Sequence, residues 1–161
     1  MIYVHIPFCK SRCLYCDFFS TTSLSLREDF VKALLKEIEG RAEELRRARA
    51  NTIYIGGGTP SMLDDSSLQM IIEAIRRESS LNSTAISGTL QGDEAMLQEI
   101  TMEANPGDIT LERAQAWRKM GINRLSIGVQ SMDDELLQLI GRRHTAEQAR
   151  KAVAAAQAAG F

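Results

Sequence analysis

The sequence predicts an α/β fold built on a parallel sheet, with its β–α units arranged as part of a TIM-like (β/α) barrel. Three observations carry this. Four short β-rich runs, near residues 3, 53, 101 and 126, are each followed by a segment of helical spacing, and such alternation gives parallel strands joined by right-handed crossovers. The chemically suggestive residues fall just past the ends of those runs, on the rim where barrels of this kind gather their ligand groups. The length of 161 residues falls short of the ~250 that eight units take. Residues 1–161 are therefore expected to form the N-terminal part of one longer core domain, stopping at Gly160-Phe161 where a fifth strand would begin.

Composition fits that frame. The chain is 44% hydrophobic and 25% charged with a formal net charge of −2, so no basic field calls for nucleic acid and no acidic tail for a basic partner. No apolar stretch approaches the ~20 residues of a membrane span, and the N-terminus enters a strand-like run with no secretory leader. A reducing cytoplasm is the expected compartment.

Ile2 to Ile6 reads as the first strand. The next stretch holds all three cysteines of the chain, Cys9, Cys13 and Cys16. Such crowding of an odd number of cysteines, without an export signal, argues for metal ligation rather than disulfides. Three soft thiolates select iron–sulfur clusters, Zn or Cu(I). A structural zinc needs a fourth ligand, for which His5 is the nearby candidate; a [4Fe–4S] cubane held by three cysteines leaves one iron open to a small molecule. The i, i+4, i+7 spacing would also suit the buried stripe of a helix, against which stand Pro7 and the polar Lys10-Ser11-Arg12.

Ser25-x-x-Glu28 reads as a capping box ahead of Phe30, Val31, Leu34, Leu35 and Ile38, predicting a long amphipathic helix to about Ala50. Its charges from Glu37 to Arg49 alternate in sign, as on a solvated face. Thr52 to Ile55 is the second strand and runs into Gly56-Gly57-Gly58-Thr59-Pro60-Ser61, where glycines allow close backbone approach to a ligand or simply a strand-to-helix turn. No Gly-Lys-Ser/Thr follows, so it is not a P-loop. A helix is predicted from Asp65 to Glu78 with Leu68, Ile71, Ile72 and Ile75 inward. Residues 79–98 read as an insertion, with a helical turn over Glu94 to Gln98.

Glu99 to Glu103 is the third strand, delivering Glu103 to the rim. Leu111 to Met120 is a helix closed by Gly121, and Arg124 to Val129 is the fourth strand, ending at Gln130 and Ser131. A short helix over Asp133 to Ile140, a polar break at Gly141-Arg142-Arg143-His144, and a helix to Ala159 capped by Thr145-x-x-Gln148 complete the chain. His144 is expected to be an exposed loop residue.

In order, the strings YVHIPFCKSRCLYCDF, GGGTPS, EANPG and RLSIGVQS resemble the radical S-adenosylmethionine superfamily, in particular its oxygen-independent coproporphyrinogen III oxidase-like family. The resemblance spans nearly the whole chain. It implies an open six-unit (β/α) barrel of which about four units are present, with a further cofactor-contacting Asp and a C-terminal domain beyond this sequence. Lacking those units, the fourth strand would present an unpaired edge, and the chain alone should be marginal or prone to association. By resemblance, Cys9, Cys13 and Cys16 would hold a [4Fe–4S] cluster. Tyr3, Tyr15, Gly57, Gly58, Thr59, Glu103, Gln130 and Arg142 would contact S-adenosylmethionine, which chelates the fourth iron.

One departure selects the branch. The oxidase branch carries a fourth Cys two residues after the third, where this chain has Phe18. The Cys16-Asp17-Phe18 ending resembles the haem chaperone branch, which binds haem and is thought to pass it to acceptor proteins. The first reading is therefore a haem-trafficking protein with a radical-type site; the alternative is an oxidoreductase converting coproporphyrinogen III to protoporphyrinogen IX. The resemblance implies haem or a porphyrin as ligand, an electron donor such as flavodoxin or ferredoxin, and a haem-acceptor protein.

Overall fold

A computed structural model describes residues 1–79 and 97–161 of the chain. Ten regular elements run in the order β1 (Ile2–Ile6), α1 (Arg27–Gly40), α2 (Ala42–Ala48), β2 (Thr52–Gly57), α3 (Asp65–Ser79), β3 (Glu99–Ala104), α4 (Leu111–Met120), β4 (Arg124–Ile127), α5 (Asp134–Leu139) and α6 (Ala146–Ala158). Short 3₁₀ turns lie at Leu24–Leu26, Pro60–Met62 and Pro106–Asp108. The four strands form one parallel sheet in the order β1-β2-β3-β4. The crossover topology expected from the β–α alternation is thus present, and the residues that follow each strand end on one rim.

The strands alternate in a way that splits the sheet into two unlike faces. Val4, Ile6, Ile53, Ile55, Ile100, Met102 and Ala104 are buried and pack in one core with Val31 and Ile38 of α1, the apolar stripe of α3, and Ala114 and Trp117 of α4. The intervening positions are polar or aromatic. Tyr3 pairs in register with Tyr54, Tyr54 with Thr101, and Thr101 with Arg124, while Glu103 lies beside Ser126. Parallel strands covered by helices on both faces read as continuous apolar runs; period-2 alternation therefore marks one helix-covered face and one that lines an interior with polar groups.

Loops after β2 and β3 are bound to each other through α4. The Arg113 guanidinium donates to the carbonyls of Ser61 (3.0 Å), Asp108 (3.1 Å) and Leu63 (3.1 Å) and lies 4.8 Å from the centre of the Trp117 ring. Trp117 is fully buried, and its indole N–H donates to Asp65 at 3.1 Å. At the start of α3, Asp64 accepts from the Ser67 amide at 2.8 Å and from the Ser66 and Ser67 hydroxyls, satisfying donors that a helix N-terminus otherwise leaves open.

Most sequence-predicted elements appear within one or two residues of their expected bounds. The Thr145/Gln148 capping box is formed, and Gly121 takes the left-handed conformation, φ 94°, that ends α4. Two expectations fail. The single helix to Ala50 is two helices, broken at Arg41 (φ −102°, ψ 15°), whose amide meets the carbonyls of Glu37, Ile38 and Glu39; Gly40, the poorest helix former here after proline, sits at the break. The Ser25/Glu28 capping box does not form, because Ser25 lies inside the 3₁₀ turn and α1 begins after Leu26 with no side-chain cap. The expected turn over Glu94 to Gln98 lies largely outside the described residues, as does most of the 79–98 insertion.

Two outcomes follow for stability. Trp117→Ala removes a filled core volume and is expected to cost about 3–5 kcal/mol, read as a lowered urea midpoint. Asp64 is held at about 2, below its ordinary 3.8, by the Ser66 hydroxyl and then the Ser67 amide. Its folded-state pKa is depressed, so its contribution is full above pH 3.8 and lost as pH falls toward 2. Asp64→Ala should therefore cost about 1 kcal/mol at neutral pH and progressively less below pH 4 in matched urea titrations.

Candidate metal and cofactor site

The cysteine loop leaves β1 through Pro7 and Phe8, and its base is closed. Thr21 N–H donates to Pro7 O at 2.7 Å and Cys9 N–H to Thr21 O at 3.0 Å, making a parallel bridge between Phe8 and Thr21. Phe8 is fully buried and meets the edge of Phe30 of α1 at 5.3 Å between ring centres. Between those anchors the chain is irregular, so the three cysteines are not a helical stripe. Cys9 is buried while Cys13 and Cys16 are half-buried, and all three are free thiols.

The glycine run after β2 lets this loop sit against the sheet. A Cβ on Gly58 would lie 2.9 Å from Phe8 O and 3.0 Å from Cys9 Sγ, and one on Gly57 (φ 113°) would strike the His5 ring at 2.7 Å. Gly58 N–H donates to Ile6 O at 2.8 Å, and the Thr59 hydroxyl lies 3.5 Å from Cys9 Sγ. Glu103, at the end of β3, accepts from the Tyr54 hydroxyl at 2.7 Å and from Gly57 N–H at 3.1 Å. Burial first, and then the bond to Glu103, raise the Tyr54 phenol above its ordinary value.

The far wall comes from β4 and the segment after α5. Arg142 donates to Cys13 Sγ at 3.6 Å and to Gly128 O, and Leu14 N–H reaches Ile140 O at 3.3 Å. Burial raises the Tyr15 phenol, with Arg142 opposing and Cys13 adding to the shift. Gln130 has φ 66°, a left-handed backbone that costs a non-glycine residue of order 1–3 kcal/mol.

A cavity of about 210 Å³ opens among these groups. Cys9, Cys13 and Cys16 line it, as do Tyr15, Gly57, Gly58, Thr59, Glu103, Gln130 and Arg142. Of the residues singled out in the sequence, Tyr3 stands apart from the cavity wall. It is half-exposed on the inner sheet face, stacked on Tyr54 at 6.0 Å, with its phenol raised by burial and then by the Glu103 charge. His5 is also off the wall: it receives the Tyr3 hydroxyl at Nδ1 (3.1 Å) and its Nε2–H donates to Phe19 O (2.9 Å).

His144 is not the exposed loop residue expected. It is 3% exposed, and its Nε2–H donates to Val129 O at 2.9 Å. Two further contributors were not singled out. Arg143 lines the cavity. Lys10, inside the cysteine loop, pairs with the buried Asp108 at 3.0 Å, and Asp108 also accepts from Ser61 at 2.8 Å. That network ties the cysteine loop to the loops after β2 and β3; the partners lie too far apart in sequence for any local pattern to join them.

The donor set suits the group that the resemblance implies. Among the described residues no three His, Cys, Asp or Glu side chains converge on a single metal position. The three thiols share a cavity wall, and soft thiolates suit an iron–sulfur cluster, which three cysteines would hold with one iron left open. Beside them, glycine backbone at the end of β2, a carboxylate and a guanidinium supply donors and acceptors for a zwitterionic ligand. Among the described residues no helix is long and apolar enough to cross a membrane.

Comparison with known proteins agrees with this geometry. The chain is 35% identical over 99% of its length to a protein named Heme chaperone HemW from Escherichia coli (strain K12), and 38% identical over 99% to one of the same name from Lactococcus lactis. It is 35% identical over 97% to the mitochondrial Radical S-adenosyl methionine domain-containing protein 1 of Bos taurus. The chain spans only 39%, 38% and 33% of those three proteins. Among solved structures, that of coproporphyrinogen III oxidase (HemN) from Escherichia coli, described as a radical SAM enzyme, superposes with a TM-score of 0.82 at 28% identity. That match covers 99% of this chain and 34% of the other, so the sheet is part of a TIM-like barrel of that type. The sequence also matches the family described as the Radical SAM superfamily over residues 3–161. A three-thiol loop at the C-terminal rim of a partial parallel barrel, matched over nearly its full length, thus places the chain in the radical SAM superfamily, which implies a [4Fe–4S] cluster and S-adenosylmethionine.

Proposed function

We propose that this chain is the N-terminal part, residues 1–161, of the core domain of a haem chaperone-like radical SAM protein that works in haem trafficking in the cytoplasm. The observation that supports the cofactor half is the shared cavity: three cysteines from one loop and the ends of β2, β3 and β4 line a single space. Cys9, Cys13 and Cys16 hold the cluster. Tyr15, Gly57, Gly58, Thr59, Glu103, Gln130 and Arg142 bind S-adenosylmethionine, and Tyr3 acts from behind through Tyr54 and Glu103.

Held by Cys9, Cys13 and Cys16, the cluster would supply one-electron chemistry to a sulfonium cofactor bound beside it. The protein's own groups bind and orient. Gly57 and Gly58 present backbone with no Cβ to obstruct a ligand, and Glu103, already fixed by Tyr54 and Gly57 N–H, offers its remaining lone pairs to hydroxyl or ammonium donors. Arg142 brings a positive charge to the wall beside Cys13, suited to a carboxylate. An electron donor such as a flavodoxin or ferredoxin, and a haem-acceptor protein, are the partners this reading requires.

The haem half rests on Phe18 and on the relatives' names. Phe18 borders the cavity and is 66% exposed, at the position where the oxidase branch carries its fourth cysteine. The structural likeness to coproporphyrinogen III oxidase supports the second reading, in which the same site serves oxidative decarboxylation.

Cys13→Ser should abolish the intact cubane after anaerobic reconstitution; unchanged iron and sulfide content would overturn the ligand assignment. In the full-length protein, haem titration should give saturable binding and coproporphyrinogen III should stay unconverted under anaerobic reduction. Conversion without haem binding would replace the chaperone reading with the oxidase one.

A further inference from the structure

Gln130 sits at the centre of a three-residue turn. Ser131 N–H donates to Val129 O at 2.8 Å, and with φ 66° at the central residue this is the rarer, strained hand of that turn. Arg49 is the other non-glycine residue with positive φ among those described, and it merely ends α2. Gln130 ends no helix. A strained conformation at a cavity wall persists only where its surroundings over-determine it.

What over-determines it is the segment after α5. The Val129 carbonyl that closes the turn accepts a second bond, from His144 Nε2–H at 2.9 Å. One residue earlier, Gly128 O accepts from Arg142. The imidazole is fixed in turn by its own surroundings: His144 is 3% exposed and immediately precedes the Thr145 capping box of α6, while Ala146 N–H is held by Asp134 of α5 at 2.7 Å. A carbonyl can only accept, so Nε2 carries the proton. Among the described residues His144 Nδ1 has no partner, and the Val129 bond is the ring's one polar engagement.

We infer that His144 is a positioning residue: by donating to Val129 O it holds the strained turn that keeps Gln130 on the cavity wall. This rests on the proposed cofactor contact at Gln130. The imidazole is not among the groups lining the cavity; it acts through the backbone.

The test compares His144→Gln, whose amide nitrogen reaches as far as Nε2 and can donate, with His144→Phe, which keeps a ring of similar volume without a donor. In the reconstituted full chain, His144→Phe is expected to weaken S-adenosylmethionine binding about tenfold and His144→Gln by no more than about twofold. In a Gln130→Ala background the His144→Phe change should add nothing, since the two act as one unit. Hydrogen exchange at the Ser131 amide, read without cofactor, should quicken in His144→Phe and stay at the wild-type rate in His144→Gln. If both variants behave alike in affinity and in exchange, His144 is only core filling and the inference is overturned. If Gln130→Ala leaves affinity unchanged while Ser131 exchange still follows the donor, the turn-holding role stands and the cofactor contact at Gln130 fails instead.

Discussion

Three consecutive missing side chains govern the rim of this protein. At Gly56 a Cβ would meet the Tyr54 ring at 2.7 Å and the Glu103 carboxyl at 3.1 Å; at Gly57 it would meet His5; at Gly58 the cysteine loop itself. β2 is the strand between β1, which the cysteine loop follows, and the Glu103-bearing β3. Its bare end lets both neighbours close over it. The thiols and the carboxylate can then share one small cavity, and a side chain at Gly56 or Gly58 would have to push the carboxylate or the cysteine loop away.

The sheet adds a second constraint. Because one face is apolar and the other carries Tyr3, His5, Tyr54, Glu103 and Arg124, the register of each strand decides which residues meet. A slip of one residue would send Val4, Ile55 and Met102 to the polar side and bury Glu103 against α3 and α4. The hydrophobic face thus fixes the polar one. Arg113 and the Lys10–Asp108–Ser61 network do the same for the loops, whose backbone polar groups would otherwise be left without partners away from water.

Much of this was legible in the sequence because it is local. β1 and α4 fall on their expected residues, and the α6 cap is the one that Thr145 and Gln148 announce. The cysteine spacing, the glycines and Glu103 lie within strings that the resemblance makes readable. What stayed hidden depends on tertiary contact. Nothing near His144 shows that the Val129 carbonyl waits for it, and a polar Arg-Arg-His run looks like any solvent-facing break. The Lys10–Asp108 pair joins two loops that each look ordinary alone. The helix break at Gly40–Arg41 was missed for another reason: charge alternation there runs unbroken through a residue that stops the helix.

The bridge between Phe8 and Thr21 makes the cysteine segment an Ω-like lariat of about a dozen residues, pinched at its neck by the same kind of bonds that hold the sheet. In a zinc finger the metal must gather a chain that is otherwise unfolded, and binding energy becomes folding energy. Here backbone bonds at the neck also hold the loop ends together, and so bear part of the loop-closure entropy. The neck is thus built from backbone bonds that use no cysteine side chain, so loop closure and thiolate ligation draw on separate groups of the same segment.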